Sequence, residues 1–533
     1  MFNDCIQKFL ACSALCMIVA AQASGQTTTD NLERIGRTID RAPYPDEVQE
    51  YFLRSSDIAE DHRAAVKLGP DGTSRKALFA KDSVVLRLAP DLDETAIREL
   101  LEKYSLDVVE IYPEIQTIHV RADLKPFFWY ELGDETVNDQ YFRGLSDARI
   151  AFEEDPRILV AAPDLIVTEQ QAATTTGPAS NLVTPEVFVV ASASERVDWG
   201  IANTESDQLW GLKGAHDGVM LGVLDTGFAR HEDLTFSQPA INFKSSDHGN
   251  HVSGIACARH NGIGVRGVLP NCFVVPRARE YYTYPNSVSS IAHFNRNFSQ
   301  IMGEMLKEIS SDQGVDVYNV SLAYNWMSNF GINPDDPNQR EARSLIESQG
   351  EILVAVLGIA AQKDKVIYSA AGNDSPGLAT PIDAIYSSPF NWAAKTSFKR
   401  TRVRSGVVVE AHDKNGNKAA FSNKNGDLSC PGVDIQSVLA FDAQKNPSNN
   451  SYGIMSGTSM ASPYCAAGHL LFKLVRPDYS DLETVECLLH SDQNSSSRYP
   501  PRTIRSASKD VATSRSTFGT ERPALSSLRT STW

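Results

Sequence analysis

Residues 455–463 read Met455-Ser456-Gly457-Thr458-Ser459-Met460-Ala461-Ser462-Pro463, and the run of small residues goes on to Gly468. Gly457 permits a tight backbone turn. The small-residue run after it predicts a helix that packs closely against its neighbours, with Pro463 accommodated in its first turn. A serine at such a helix start lies beside backbone N–H groups that have no partner within the helix, so a developing oxyanion is stabilised there. Alone, Gly-Thr-Ser is an ordinary helix cap. What decides its meaning is the rest of the chain.

Two other stretches bear on it. Gly218–Leu224 (GVMLGVL) is a short apolar run of the kind found in buried parallel strands, and it ends on Asp225-Thr226-Gly227. A carboxylate there is costly to bury unless it is paired. Further on, His248-Gly249-Asn250-His251-Val252 opens a helical pattern with Val252, Ile255 and Ala256 at core spacing. An acid, an imidazole and a hydroxyl, each at an element end, are the parts of a nucleophilic triad.

The surrounding pattern is α/β. Strands are expected at 219–224, 273–276, 315–322 and 366–370, and helices after His248, at 301–310, 341–349 and 352–361, and after Ser459. This alternation predicts a doubly wound, mostly parallel sheet with helices on both faces. Sites in such sheets gather beyond the carboxyl ends of the strands. Asp225, Ser321 and Asn373 all stand where a strand run ends.

On these residues the chain resembles the subtilisin-like serine proteases, or subtilases. The matching segments are DTG at 225–227, HGNHVSG at 248–254, SAAGND at 369–374 and GTSMASP at 457–463, in the order Asp, His, Ser. The likeness extends from about Trp199 to Asp492. It implies a catalytic triad of Asp225, His248 and Ser459, with Asn373 as the side-chain donor to the oxyanion. It also implies that Ser321, Leu322 and Ala323 form the strand edge that pairs with an extended substrate. Three positions depart from the family pattern: Asn250 stands for the usual Thr, Ala323 for Gly, and Tyr464-Cys465 for His-Val. No cofactor is implied for the chemistry. A structural calcium is suggested by Asp233 and Asn261 with the carbonyls of Ile263 and Val265, although the loop from Asp225 to Asp233 is short for it.

Composition agrees with an exported globular enzyme. The 533 residues are 42% hydrophobic and carry a formal net charge of −16, which argues against nucleic acid as the main partner. Residues 1–23 have the form of a signal peptide, with Lys8 before an apolar stretch and Ala21-Gln22-Ala23 as the cleavage site. No later stretch is expected to span a membrane, so the mature chain is expected to be secreted. Five cysteines lie beyond the leader, which allows one or two disulfides and a leftover thiol of unspecified pairing. Cys465 is expected to be a buried apolar residue.

Residues 24–82 are polar, with weak helical patterning at 47–58, and are expected to be a partly disordered leader. From Ser83 the order changes. A strand at 83–88, a helix capped at Asp91, strands within 108–120 broken near Pro113, a helix at 145–154 and a strand at 158–167 form a βαβ–βαβ unit. Before a subtilase domain, such a ferredoxin-like α+β unit (83–169) resembles the family's propeptide, an intramolecular inhibitor that makes the precursor a zymogen. Phe127–Arg143 is an insertion relative to the compact form. An Ala/Thr/Ser-rich linker with a processing site is expected at 170–198, the catalytic domain at 199–492, and a disordered Ser/Thr/Arg-rich tail at 493–533. The segments 281–310 and 325–350 are expected to be surface loops or extra helices beside the groove.

The leading reading is an endopeptidase that acts on protein or peptide substrates through an acyl-enzyme on Ser459. A catalytically inactive subtilase-like binding protein is the alternative, although no triad residue is missing. An ester- or lipid-cleaving hydrolase would carry G-x-S-x-G and a different residue order.

Overall fold

The computed structural model describes residues 26–43, 48–54, 73–127, 138–169, 186–189, 195–225, 227–237, 247–277, 296–311, 314–327, 331–376, 378, 380–439 and 451–490. The expected signal peptide, the C-terminal tail, most of the 170–198 linker, Thr226 and much of the 127–143 insertion lie outside these residues.

The N-terminal part is α1 (Gln26–Gly36), β1 (Val48–Arg54), β2 (Thr73–Leu88), α2 (Glu94–Lys103), β3 (Asp107–Tyr112), β4 (Thr117–Arg121), α3 (Asn138–Glu153) and β5 (Ile158–Glu169). Its antiparallel sheet runs β5-β2-β4-β3, with β1 also on β2. Three expectations are corrected here. The leader is structured in part: α1 buries Leu32 and Ile35 completely, each worth about 1.5–3 kcal/mol. Residues 48–54 pair antiparallel with β2 instead of forming a helix, so tertiary pairing overrides a weak local period. The cap of α2 is Asp93, whose carboxylate accepts the Ala96 N–H, and Asp91 occupies a left-handed turn at φ 66°.

The larger part comprises β6 (Glu186–Val189), α4 (Trp199–Thr204), β7 (Val219–Leu224), α5 (His248–Cys257), β8 (Cys272–Arg277), β9 (Arg296–Asn297) and α6 (Phe298–Ser310). There follow β10 (Val317–Val320), β11 (Leu322–Ala323), α7 (Arg340–Gln362), β12 (Val366–Ala370), α8 (Pro389–Thr401), β13 (Gly406–His412), β14 (Leu428–Pro431), β15 (Ile435–Val438), β16 (Ser451–Met455), α9 (Thr458–Val475) and α10 (Asp481–His490). Six strands form a wholly parallel sheet in the order β14-β13-β12-β10-β7-β8. Both of its faces are buried, which explains why its strands are continuously apolar. Within β13, Val407 and Val409 join the core beneath α5 and α9, and Val408 joins the core beneath α6 to α8. The predicted doubly wound α/β class is the one observed.

The expected helices at 341–349 and 352–361 are one helix, α7. Gly350 lies inside it because the Trp392 ring occupies the space that a β-carbon would need. Among the described residues α7 is also the one helix long and apolar enough to cross a membrane, contrary to expectation, but two thirds of its apolar window is buried in the fold. Neither α6 nor α7 is a surface element. Together they fill the layer between the N-terminal sheet and the parallel sheet, in one continuous core. Disulfides Cys257–Cys272 and Cys430–Cys465 tie α5 to β8 and β14 to α9, and Cys487 is free. Cys465 is thus buried as expected, but it is a bridge partner.

The N-terminal sheet meets the larger part through polar as well as apolar contacts. Asp164 of β5 accepts the Ser299 N–H at 2.8 Å and the Ser299 hydroxyl at 2.6 Å, filling the open N-terminus of α6. The Ser83 hydroxyl donates to the same carboxylate at 2.8 Å and receives His119 Nε2 at 2.7 Å. All four residues are fully buried.

Candidate active site

Asp225 follows directly on β7, where the strand's apolar run ends at the carboxyl edge of the parallel sheet. Its N–H donates to the Arg277 carbonyl of β8 at 3.2 Å, and its side chain is fully buried. A lone buried carboxylate would be expensive, and the partner is His248, the first residue of α5. His248 Nδ1 lies 2.6 Å from Asp225 Oδ1, and both side chains are wholly enclosed. The pair orients the imidazole and leaves Nε2 as the nitrogen on its other side.

Ser459 is the second residue of α9, one of the positions whose backbone N–H has no helical acceptor. Pro463 lies in the second turn of α9, one turn later than expected. Lacking an N–H, it cannot bond the carbonyl four residues earlier, which is that of Ser459. The Ser321 hydroxyl donates to that carbonyl instead, at 3.2 Å. Ser321 stands between β10 and β11, so this bond fixes the start of α9 to the strand edge beside it. Helices α9 and α5 pack directly on one another, which brings the Ser459 and His248 ends of the two helices to one side of the sheet.

Asn373 follows β12 after a turn at Gly372 (φ 106°), where the Ser387 hydroxyl and the Asn423 amide close off the space a side chain would need. Its Oδ1 accepts both the N–H and the hydroxyl of Thr458, at 2.9 and 3.0 Å, and the same hydroxyl accepts the Gly372 N–H at 3.1 Å. With its oxygen held this way, the amide must turn its Nδ2 to the other side. That nitrogen is buried and has no hydrogen-bond partner among the described residues. Next in sequence, burial pushes the Asp374 carboxyl up to about 6, although it accepts the Met327 N–H.

Leu322 and Ala323 pair antiparallel with Glu169 and Thr168 of the chain's own β5. β5 also pairs with β9, through Ile166 with Asn297 and Val167 with Arg296. A strand from the N-terminal unit thus lies along the Leu322–Ala323 edge at the site.

The suggested calcium residues also come together. Asp233 is buried and accepts the Val265 N–H and the Tyr452 hydroxyl on Oδ2, each at 3.1 Å. Its Oδ1 is buried with no hydrogen bond among the described residues, and burial pushes its pKa up to about 6. Glu195 accepts the N–H groups of Asn261 and Gly262 in the neighbouring loop. Among the described residues no cluster of three or more His, Cys, Asp or Glu could hold a metal.

Asp225 and His248 therefore meet, Asn373 meets the residue before Ser459, and Ser321 meets Ser459 itself. Thr458, which orients the Asn373 amide, was not singled out by its sequence. Only its place beside Ser459 could have pointed to it.

Known proteins resemble the chain in family and in fold. The family model described as "Subtilase family" matches residues 216–504. Over 370 residues the chain is 25% identical to the minor extracellular protease Epr of Bacillus subtilis, covering 66% of this chain and 47% of that protein. It is 28% identical over 306 residues to an alkaline protease of Alkalihalobacillus alcalophilus (55% and 64% covered), and 27% identical over 302 to subtilisin Savinase of Lederbergia lenta (54% and 89%). It thus spans about half to two thirds of the first two relatives. The crystal structure of fervidolysin from Fervidobacterium pennivorans, a keratinolytic enzyme related to subtilisin, shares the fold at a TM-score of 0.50 and 16% identity, with 89% of this chain and 64% of that one covered. With more than half of its length matched by the family model, the chain is a member of the subtilase family.

Proposed function

We propose that the protein is a secreted serine endopeptidase, made as a self-inhibited precursor, that cleaves peptide bonds through an acyl-enzyme on Ser459. The observation that carries this reading is the 2.6 Å contact between His248 and Asp225, with the Asn373 amide oriented by Thr458 next to Ser459. His248 Nε2 takes the Ser459 proton as the hydroxyl attacks the scissile carbonyl, then returns it to the leaving amine. Asp225 holds the imidazole in the tautomer this needs and stabilises the imidazolium. Asn373 Nδ2 and the Ser459 N–H receive the oxyanion. Hydrolysis of the acyl-enzyme by water, with His248 again as base, completes the cycle. A peptide substrate docks as an added strand on Ser321, Leu322 and Ala323. The test is turnover of a peptide library by the purified chain, with Ser459→Ala expected to be inactive. Equal turnover by both would place the chemistry elsewhere.

The β5 strand supports the precursor reading, because it occupies the edge a substrate would use. Its register with β11 ends with Glu169 opposite Leu322, next to Ser321, whose hydroxyl donates to the Ser459 carbonyl. Cleavage is therefore expected within a residue or two after Glu169. N-terminal sequencing of the mature species checks this, and a first residue at or beyond Trp199 would contradict it. Residues 83–169 are then the propeptide and 199–492 the catalytic domain. The leader-like residues 1–23 and the Bacillus subtilis relative, named as an extracellular protease, support export.

For a structural calcium, the donor set fits in charge. Asp233 offers a buried oxygen with no hydrogen bond among the described residues, and its other oxygen accepts the Val265 N–H from the loop that carries Asn261 and the Ile263 and Val265 carbonyls. Bound there, the ion would neutralise Asp233 and stiffen the 261–265 loop, taking no part in the chemistry.

A further inference from the structure

Asn250 is the departure from the family pattern that lies nearest the chemistry, and the structure gives it more bonds than a space-filling role needs. It is fully buried, two residues after His248 in the first turn of α5. Its backbone N–H donates to the Gly227 carbonyl at 3.2 Å. Its side-chain oxygen accepts the Ala229 N–H at 3.0 Å, and its amide donates to the Ala229 carbonyl at 3.0 Å and to the Leu439 carbonyl at 3.1 Å. Side chain and peptide thus close a two-bond ring with Ala229, as neighbouring strands do. The third side-chain bond reaches the residue that follows β15.

Gly227 and Ala229 belong to the segment that leaves β7 immediately after Asp225. Asp225 and His248 belong to different elements, and their 2.6 Å contact depends on how this segment sits against α5. Three hydrogen bonds of Asn250, one from its backbone and two from its side chain, join these two pieces of backbone, and none of them touches a reacting atom.

We propose that Asn250 is a positioning residue for the catalytic pair: it sets the separation of Asp225 and His248 by clamping the exit of β7 to the first turn of α5. The inference rests on the serine-protease reading of the site. Replacing the amide by a methyl group frees the segment after Asp225 to drift, and misplacement of about 1 Å near a reacting group costs on the order of 10²-fold in rate. None of the Asn250 bonds involves the Ser321–Ala323 edge, so substrate binding there is expected to change little.

The test uses mature enzyme made from the full chain and compares wild type, Asn250→Ala, Asn250→Thr and, as a control, Trp210→Phe. The control removes a hydrogen bond to Val268 that lies away from the pair. Two quantities are read: kcat and KM on one peptide substrate, and the low-field proton resonance of the His248 Nδ1–H. For Asn250→Ala the expected result is a kcat about 10–100-fold lower, a KM within about threefold, and a moved or broadened resonance. Asn250→Thr, whose hydroxyl replaces part of the bonding, is expected to recover some of the loss in both readouts. It carries the test if the alanine variant does not fold. Trp210→Phe should leave both readouts as in wild type. Asn250 variants with wild-type kcat and an unmoved resonance overturn the proposal, as does a loss that Trp210→Phe reproduces. A wild-type enzyme that has been cleaved after Glu169 and still shows no turnover would instead overturn the protease reading, and the resonance would still report on the clamp.

Discussion

Two buried groupings of serine, histidine and aspartate among the described residues are built differently. In the first, Asp225 meets His248 Nδ1 directly at 2.6 Å, leaving Nε2 for another group. Close by are a helix start and an amide whose Nδ2 has no hydrogen-bond partner among the described residues. In the second, the Ser83 hydroxyl stands between His119 Nε2 and Asp164, and the carboxylate also takes the N–H and hydroxyl of Ser299. There the aspartate serves a helix end, and the hydroxyl spends its proton on a carboxylate. The same three residue types stand as the proposed reactive centre in one place and as a clasp between two layers in the other. What differs is which atom faces which, and whether a hydrogen-bond donor is left over for a substrate.

The largest contrast should come from removing each histidine. His248→Ala is expected to lower kcat by on the order of 10⁶, the loss known for subtilisin itself, whereas mature enzyme made from the His119→Ala chain keeps its turnover. Comparable losses in both would erase the distinction. Next, Asn373→Ala should lower kcat by about 10²–10³ with little change in KM, again the magnitude established for subtilisin. A change confined to KM would make Asn373 a binding residue only.

The clasp predicts a stability effect. Asp164→Ala leaves the Ser299 N–H and the Ser83 hydroxyl buried without their acceptor, at a cost of about 1–3 kcal/mol. Denaturant unfolding of the uncleaved chain measures it, and an unchanged midpoint would show that the apolar layer alone holds the two parts together. The smallest effect is a pH dependence. Burial pulls the His119 pKa below its ordinary value, against the opposing pull of Asp164 and Glu110. A group whose folded pKa is depressed stabilises the folded form above its unfolded pKa, about 6.5, and that stability is lost as pH falls below it. The expected loss is at most about tenfold in the folding constant per pH unit. It is read as the difference in unfolding midpoint between wild type and His119→Gln, and parallel pH curves would contradict it.

Much of the fold was legible because its signals are local. Continuous apolar runs such as Val219–Leu224 identify parallel strands, and the catalytic candidates stand where those runs stop. The missed features depend on partners far away in sequence. Residues 48–54 become a strand only because β2 lies beside them. Gly350 looks like a helix break until the Trp392 ring, which fills its vacant side, is known. Within the site, the motifs named Asp225, His248, Ser459 and Asn373, but not the bonds that hold them. Asp164 caps a helix that begins 134 residues later, at Phe298, and Asn250 reaches Leu439, 189 residues on. Spacing along the chain carries no trace of such pairings.

The most direct measurement of the central claim is covalent labelling of the native full-length chain with a fluorophosphonate, followed by mass-spectrometric mapping of the adduct. A single adduct on Ser459 that disappears in His248→Ala is the expected result. An adduct on another serine, Ser83 included, or labelling of Ser459 that does not depend on His248, would contradict the assignment of the reactive centre.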